Sequence, residues 1–229
     1  MSVLKALFQL LGRRAVRREP GSGAAEFFSE VYRENTWGGR ESRSGTGSEA
    51  EFAAQKVTLF RSLIAKRGVR SVLDLGCGDF YWMRAVVPSL ERYHGVDIVP
   101  ELVRANQARY ASASVSFQCL DLGDPDQQAE LQLRGADLVA CLDVIGHMLN
   151  AEVDALLELV LQRLTARLFL VTNRRDAQSA EFLVREKSRY EGIDIERHPL
   201  FETRRPERVM RLSALYPGDF YDLYTLKRA

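Results

Sequence analysis

The residues best suited to chemistry lie in one short turn and in the acid that follows it. Asp74-Leu75-Gly76-Cys77-Gly78 closes an apolar run with two glycines. Backbone without Cβ atoms can adopt φ > 0 there and let a ligand approach closely. Asp97 ends the next apolar run, 19 positions beyond Gly78, where an acid accepts hydrogen bonds from both hydroxyls of a ribose. A dinucleotide-binding turn adds a third glycine three residues after the second. This sequence has Tyr81 there, which counts against NAD or FAD and leaves an adenosine-type ligand. A second candidate centre follows the fourth apolar run, where His147 could take a hydroxyl proton as a neutral imidazole. A histidine so placed also serves simply to order its loop. Asp143 is a weaker alternative base or an orienting partner for His147, and no role is assigned to His94 or His198.

The elements that must position these residues alternate. Apolar, β-rich runs at 71–75, 93–98, 115–120, 136–142 and 168–172 are separated by segments compatible with helices at 80–87, 100–110, 125–133 and 151–164. Strand then helix, repeated, implies a parallel sheet covered on both faces by right-handed crossovers. Upstream, residues 27–34 and 48–67 read as helices, the second with Phe52, Val57, Phe60, Leu63 and Ile64 at helical spacing and Gly68 as its stop. Between them lies a Gly/Ser-rich stretch that holds Trp37, Arg40 and Arg43, more than a solvated linker has reason to carry. After Thr172 the spacing predicts a helix over 178–189, strands over 192–196 and 220–227, and an irregular interval containing Pro199, Pro206 and Pro217. A terminal antiparallel pair at the sheet edge fits this.

The 229 residues suit one sizeable α/β domain with an ordinary apolar fraction of 46%. The net charge of +1 gives no global argument for nucleic acid. Cys77, Cys119 and Cys141 form no metal-spaced cluster and read as reduced thiols of a cytoplasmic protein. No run approaches the ~20 apolar residues of a membrane span. Residues 1–23 read as a basic amphipathic extension, with Leu4, Leu7, Phe8 and Leu11 ahead of four arginines. Its first 18 residues suit either a frayed terminus or peripheral contact with the inner face of a membrane. The compact domain is expected over 24–229.

Val72-Leu73-Asp74-Leu75-Gly76-Cys77-Gly78 followed by Gly95-Val96-Asp97-Ile98 resembles the first two motifs of class I, Rossmann-like methyltransferases. Gln118-Cys119-Leu120-Asp121-Leu122 is similar to the third, residues 137–148 to the fourth and 168–172 to the fifth. The string Tyr32-Arg33-Glu34-Asn35-Thr36-Trp37-Gly38-Gly39, continued by Glu41-Ser42-Arg43-Ser44-Gly45-Thr46-Gly47-Ser48, resembles a little-characterised subfamily of these enzymes. Cys77-Gly78-Asp79-Phe80 with Trp82-Met83 is shared as well, but Leu142-Asp143 stands where that subfamily has Arg-Asp.

The resemblance implies a three-layer Rossmann-like sheet with an antiparallel strand near the C-terminal edge, and S-adenosylmethionine as cofactor. It implies that Gly76, Cys77, Gly78, Asp97 and Ile98 hold the cofactor. Asp74 would bind the methionine amino group or the turn's own amides, and Asp121, with Leu122, the adenine, unless Asp121 is a helix cap. Trp37 is either a lid ring or a core aromatic, and Arg43 either pairs an anion such as the methionine carboxylate or is a solvated charge. Trp82 and Met83 are expected to pack. The fourth motif lacks the Pro-Pro-aromatic signature of amide and exocyclic-amine methylation, so oxygen methylation of a small polar molecule or glycan, without a metal and with nucleic acid disfavoured, is the leading expectation. N-methylation of a protein or nucleic acid docked on Arg174, Arg175, Arg204, Arg205, Arg208 and Arg211 is the rival, and a non-catalytic cofactor-binding protein is a third reading.

Overall fold

The computed structural model describes residues 23–174, 193–214 and 218–226. The basic extension, apart from Gly23, and the helix expected over 178–189 lie outside them. Helices are α1 (Ala24–Arg33), α2 (Ala50–Arg67), α3 (Pro100–Tyr110), α4 (Pro125–Gln128), α5 (Asn150–Glu158) and α6 (Pro199–Arg204). Strands are β1 (Ser71–Leu75), β2 (Arg92–Asp97), β3 (Val115–Cys119), β4 (Gly135–Cys141), β5 (Thr165–Arg174), β6 (Glu207–Ser213) and β7 (Asp219–Thr225).

They form one seven-stranded sheet in the order β3-β2-β1-β4-β5-β7-β6. The first five strands run parallel, and β7 is inserted antiparallel between β5 and β6. Because successive side chains of a strand point to opposite faces, the apolar runs feed two cores. Val72, Leu138 and Leu170 pack on one side with Phe60 of α2 and Leu102 of α3. Leu73, Val139 and Phe169 pack on the other with Leu156 and Leu157 of α5. Strand order reverses between β1 and β4, the point at whose carboxyl edge open α/β sheets bind ligands.

Five sequence expectations need correction. Residues 80–87 make two 3-10 turns, Met83–Ala85 and Val87–Ser89, instead of a helix. Phe80 enters at φ 61°, and β-branched Val86 and Val87 run into Pro88. The helix expected over 125–133 stops at Gln128, where the Arg134 guanidinium takes the Gln128 carbonyl and Gln118 accepts from the Gln132 amide. Of the strand expected over 192–196, residue 192 lies outside the described residues and the rest leads into a 3-10 turn, Ile195–Arg197, capped by Asp194. The interval read as irregular contains both α6, begun by Pro199, and the edge strand β6. Helix α5 starts as expected but ends early in a wider turn over Leu159–Arg163. Among the described residues no helix is long and apolar enough to cross a membrane.

Candidate functional site

The turn after β1 is held from both sides. Gly76 (φ 79°) and Gly78 (φ 57°) are left-handed, and the Gly76 and Cys77 amides donate to the Val96 carbonyl of β2. A Cβ on Gly76 would lie 2.2 Å from Val144 Cγ2, and one on Gly78 2.5 Å from Ser44 Oγ. Both glycines therefore answer close approach as well as torsion. Asp97 accepts from the Gly78 amide through Oδ2 (2.9 Å) and from the Val99 amide through Oδ1 (3.1 Å). Burial raises its pKa, against the pull of these amide donors. The buried Asn106 side chain on α3 donates to the Gly78 carbonyl (2.8 Å), fixing the turn from below.

Asp74 is buried in β1 and accepts 2.7 Å from the Tyr93 hydroxyl of β2. Tyr93, and not a turn amide, is thus the partner the structure gives it. Desolvation pushes its carboxyl up to about 6, opposed by the Tyr93 hydrogen bond and the nearby Lys56 cation. At the end of β3, Asp121 accepts from the Gly123 amide (2.8 Å) and closes a turn. Asp124 is the residue that caps α4, so the helix-cap reading of Asp121 is corrected. Leu122 is buried, and Ile98 packs against the α2/α3-side core.

The Gly/Ser loop lies directly over this turn. The buried Ser42 hydroxyl donates to Asp79 Oδ1 (2.9 Å), the Arg43 amide donates to Asp79 Oδ2 (2.9 Å), and Ser44 Oγ accepts from the Asp79 amide (2.8 Å). The Arg43 guanidinium donates to the Arg33 carbonyl (3.3 Å) and lies over the Tyr32 ring. Trp37 meets His147 at 5.4 Å between ring centroids and Phe28 of α1 at 6.3 Å. It therefore lies between α1 and the loop that carries His147.

His147 ends a 3-10 turn, Ile145–His147, beyond β4 and stands half-buried at the sheet's carboxyl edge. Asp143 precedes it at φ 60° and is fully engaged. Oδ1 accepts from Thr172 of β5 (3.0 Å), Oδ2 accepts from the buried Lys56 ammonium of α2 (2.5 Å), and the Asp143 amide donates to Thr172 Oγ1 (2.9 Å). Lys56 and Thr172 hold the Asp143 carboxyl below its ordinary range despite burial. A small cleft runs from Asp143 and Gly146 past Thr172 to Arg174 and Asp219.

The structure thus brings Asp74, Gly76, Cys77, Gly78, Asp97, Asp143 and His147 to one sheet edge with Trp37 above. Arg43 stands apart. Of the six arginines read as a docking face, Arg211 grips Asp222, Arg208 pairs with Glu196 and Arg174 with Asp219, while Arg175 lies outside the described residues. Trp82 and Met83 pack as expected, Trp82 against Phe60. Among the described residues no group of three metal-ligating side chains converges. Sequence reasoning missed Lys56, Ser42, Asp79 and Thr172. Lys56 had a signal: it interrupts the apolar stripe of α2, four positions from both Phe52 and Phe60.

Residues 73–167 match the family model described as "Methyltransferase domain". The small RNA 2'-O-methyltransferase of Rattus norvegicus is 26% identical over 128 residues, covering 52% of this chain and 32% of that protein. The chain thus spans about a third of the length of that curated relative. Among solved structures, the N-methyltransferase NodS from Bradyrhizobium japonicum WM9, in complex with S-adenosyl-L-homocysteine, has a TM-score of 0.62 at 14% identity, over 86% of this chain and 99% of that one. The methyltransferase domain of bacterial CtHen1-CN has a TM-score of 0.56 at 15% identity, over 75% and 98%. The chain has the class I, Rossmann-like methyltransferase fold.

Proposed function

We propose that the chain is an S-adenosylmethionine-dependent methyltransferase acting on a hydroxyl oxygen, with a small polar molecule or a glycan as the leading acceptor class. The observation that carries the cofactor reading is Asp97 held on the Gly78 amide at the strand-order switch. The Asp97 carboxylate keeps acceptor capacity beyond its backbone amide partners, and this is open to a ribose hydroxyl. Gly76 and Gly78 keep the turn thin where Val144 and Ser44 press against it. Asp74, with Tyr93 behind it, offers an acid to a cationic amino group, and Asp121 with Leu122 offers the adenine an acceptor and an apolar wall. The residues present fit the group.

When bound, S-adenosylmethionine supplies an electrophilic methyl on a sulfonium, already activated for displacement. The protein's share is alignment, exclusion of water and removal of one proton. Trp37 and the Ser42-Arg43-Ser44 loop cover the turn from the solvent side. Lys56 and Thr172 hold the Asp143 carboxyl below its ordinary range, which makes it a poor proton acceptor and an orienting group for the loop ahead. His147 is then the acceptor-side base. Its imidazole would accept the hydroxyl proton of the acceptor.

A ribose hydroxyl of RNA is the second reading, favoured by the sequence similarity to a small RNA 2'-O-methyltransferase. A labelled-methyl screen of host extracts, glycan pools, total RNA and protein, run on the wild type and His147→Ala, tests both. Label in an ether oxygen, lost with His147→Ala while cofactor binding is kept, is the expected result. Label on nitrogen, or equal turnover in His147→Ala, contradicts the base assignment. Cofactor binding with no labelled product from any pool would favour a non-catalytic binding protein.

A further inference from the structure

Lys56 is an ammonium group in an apolar helix face. Its side chain is 3% exposed, and burying such a cation is costly unless it is paired. It has three partners from three parts of the chain: Asp143 Oδ2 of the loop after β4 (2.5 Å), the Gly47 carbonyl of the loop over the glycine turn (3.2 Å), and the face of the Trp82 ring (5.6 Å to the centroid). Asp143, its anion, sits in the left-handed region at φ 60°, a conformation uncommon for a non-glycine residue. Both of its oxygens are tied down, and the next residue, Val144, is the one pressed on Gly76. His147 follows one short turn later. The two loops over the crevice therefore share a single buried cation, yet neither Lys56 nor Gly47 reaches the glycine turn or Asp97 by any hydrogen bond of its own.

We propose that Lys56 is a positioning residue whose buried ammonium latches the loop at residues 42–48 to the loop carrying His147, by holding the Gly47 carbonyl and the Asp143 carboxylate at once. Loosening either loop then loosens the other, because the shared cation loses a partner on each side, and coupling of this kind is reciprocal. The catalytic consequence, placement of His147, rests on the methyltransferase reading above. The latch itself does not.

Amide hydrogen exchange read by mass spectrometry on the full chain without cofactor tests the latch. Lys56→Met keeps the apolar stem and removes the charge, Asp143→Asn removes the anion, and Lys56→Arg keeps a cation. Exchange in residues 39–48 should rise roughly tenfold in Lys56→Met and in Asp143→Asn, the scale set by losing one charge-assisted hydrogen bond. Residues 143–148 should rise with them, while β2 and α3 keep wild-type rates. Lys56→Arg should stay closer to the wild type than Lys56→Met. A space-filling role gives the opposite ranking, and methionine equal to or better than arginine overturns the proposal. If a lone buried carboxylate prevents Lys56→Met from folding, Lys56→Met/Asp143→Asn decides, since it removes the cation and its paired anion together. Faster exchange at both loops supports the latch, and wild-type exchange at residues 39–48 overturns it. S-adenosylhomocysteine binding, measured separately by calorimetry, reports on the cofactor reading: its loss in the wild type would defeat that reading and leave the exchange result standing.

Discussion

At the scale of single residues, the same side-chain type is given different work by its surroundings. Asp97 meets backbone amides, Asp143 meets a cation and a hydroxyl, and Asp74 has one phenol in an otherwise apolar strand. Asp74 is consequently the acid whose charge changes near neutrality, at about 6. A cationic amino group binds the ionised form, so S-adenosylmethionine affinity should be full above that value and fall as pH drops through about 6. Calorimetric titration between pH 8 and 5 reads this directly, and Asp74→Asn should flatten the dependence. Tyr93→Phe removes a hydrogen bond that favours the ionised form, so the midpoint should move upward. These acids were legible in the sequence because their spacing follows the strand–turn–strand repeat. Lys56 was not read, because a helix pattern counts apolar positions and a lysine among them is discounted as solvated until its partners appear from distant parts of the chain.

At the scale of elements, the strands most readable in sequence were the buried ones. The strand predicted over 71–75 has the observed bounds, and those at 93–98, 115–120 and 136–142 shift by one residue, since a parallel strand buried on both faces is a continuous apolar run. The edge strand β6 was missed for the complementary reason. Glu207, Arg208 and Arg211 break its apolar alternation, as charged residues on sheet edges do, and Pro206 directly before it reads as a breaker. The loop between β4 and α5 is tied to the glycine turn by shape, through Val144 against Gly76. Gly76→Ala should therefore cost more than its torsion alone, for which about 1–3 kcal/mol is usual. At this size each kcal/mol lowers Tm by about 2–4 °C, so differential scanning should find a drop of roughly 5 °C or more. An unchanged Tm would mean that the two loops do not meet there.

At the scale of the whole molecule, a buried acid reinforces the backbone ladder that joins the antiparallel end of the sheet to the parallel part. Asp222 of β7 takes a two-point grip from Arg211 of β6 (2.7 and 2.5 Å) and accepts from Asn173 of β5 (2.9 Å), whose own carbonyl oxygen accepts from the Ile195 amide. Removing one partner of such a pair costs about 3–5 kcal/mol because the remaining charge stays buried. Arg211→Met should lower Tm by roughly 10 °C, with Arg211→Met/Asp222→Leu recovering a large part. Loss confined to activity, with Tm kept, would instead place Arg211 in acceptor binding. The central claim, however, concerns the opposite side of the sheet, where β1 and β4 part and the glycine turn rests on Asp97. Isothermal calorimetry of S-adenosylmethionine and S-adenosylhomocysteine with the full chain and with folded Asp97→Ala tests it most directly. One cofactor per chain at sub-millimolar Kd, weakened about tenfold to a hundredfold by Asp97→Ala through loss of charge-assisted hydrogen bonds, is the predicted result. Binding of neither compound by the wild type, or equal binding by Asp97→Ala, would contradict it.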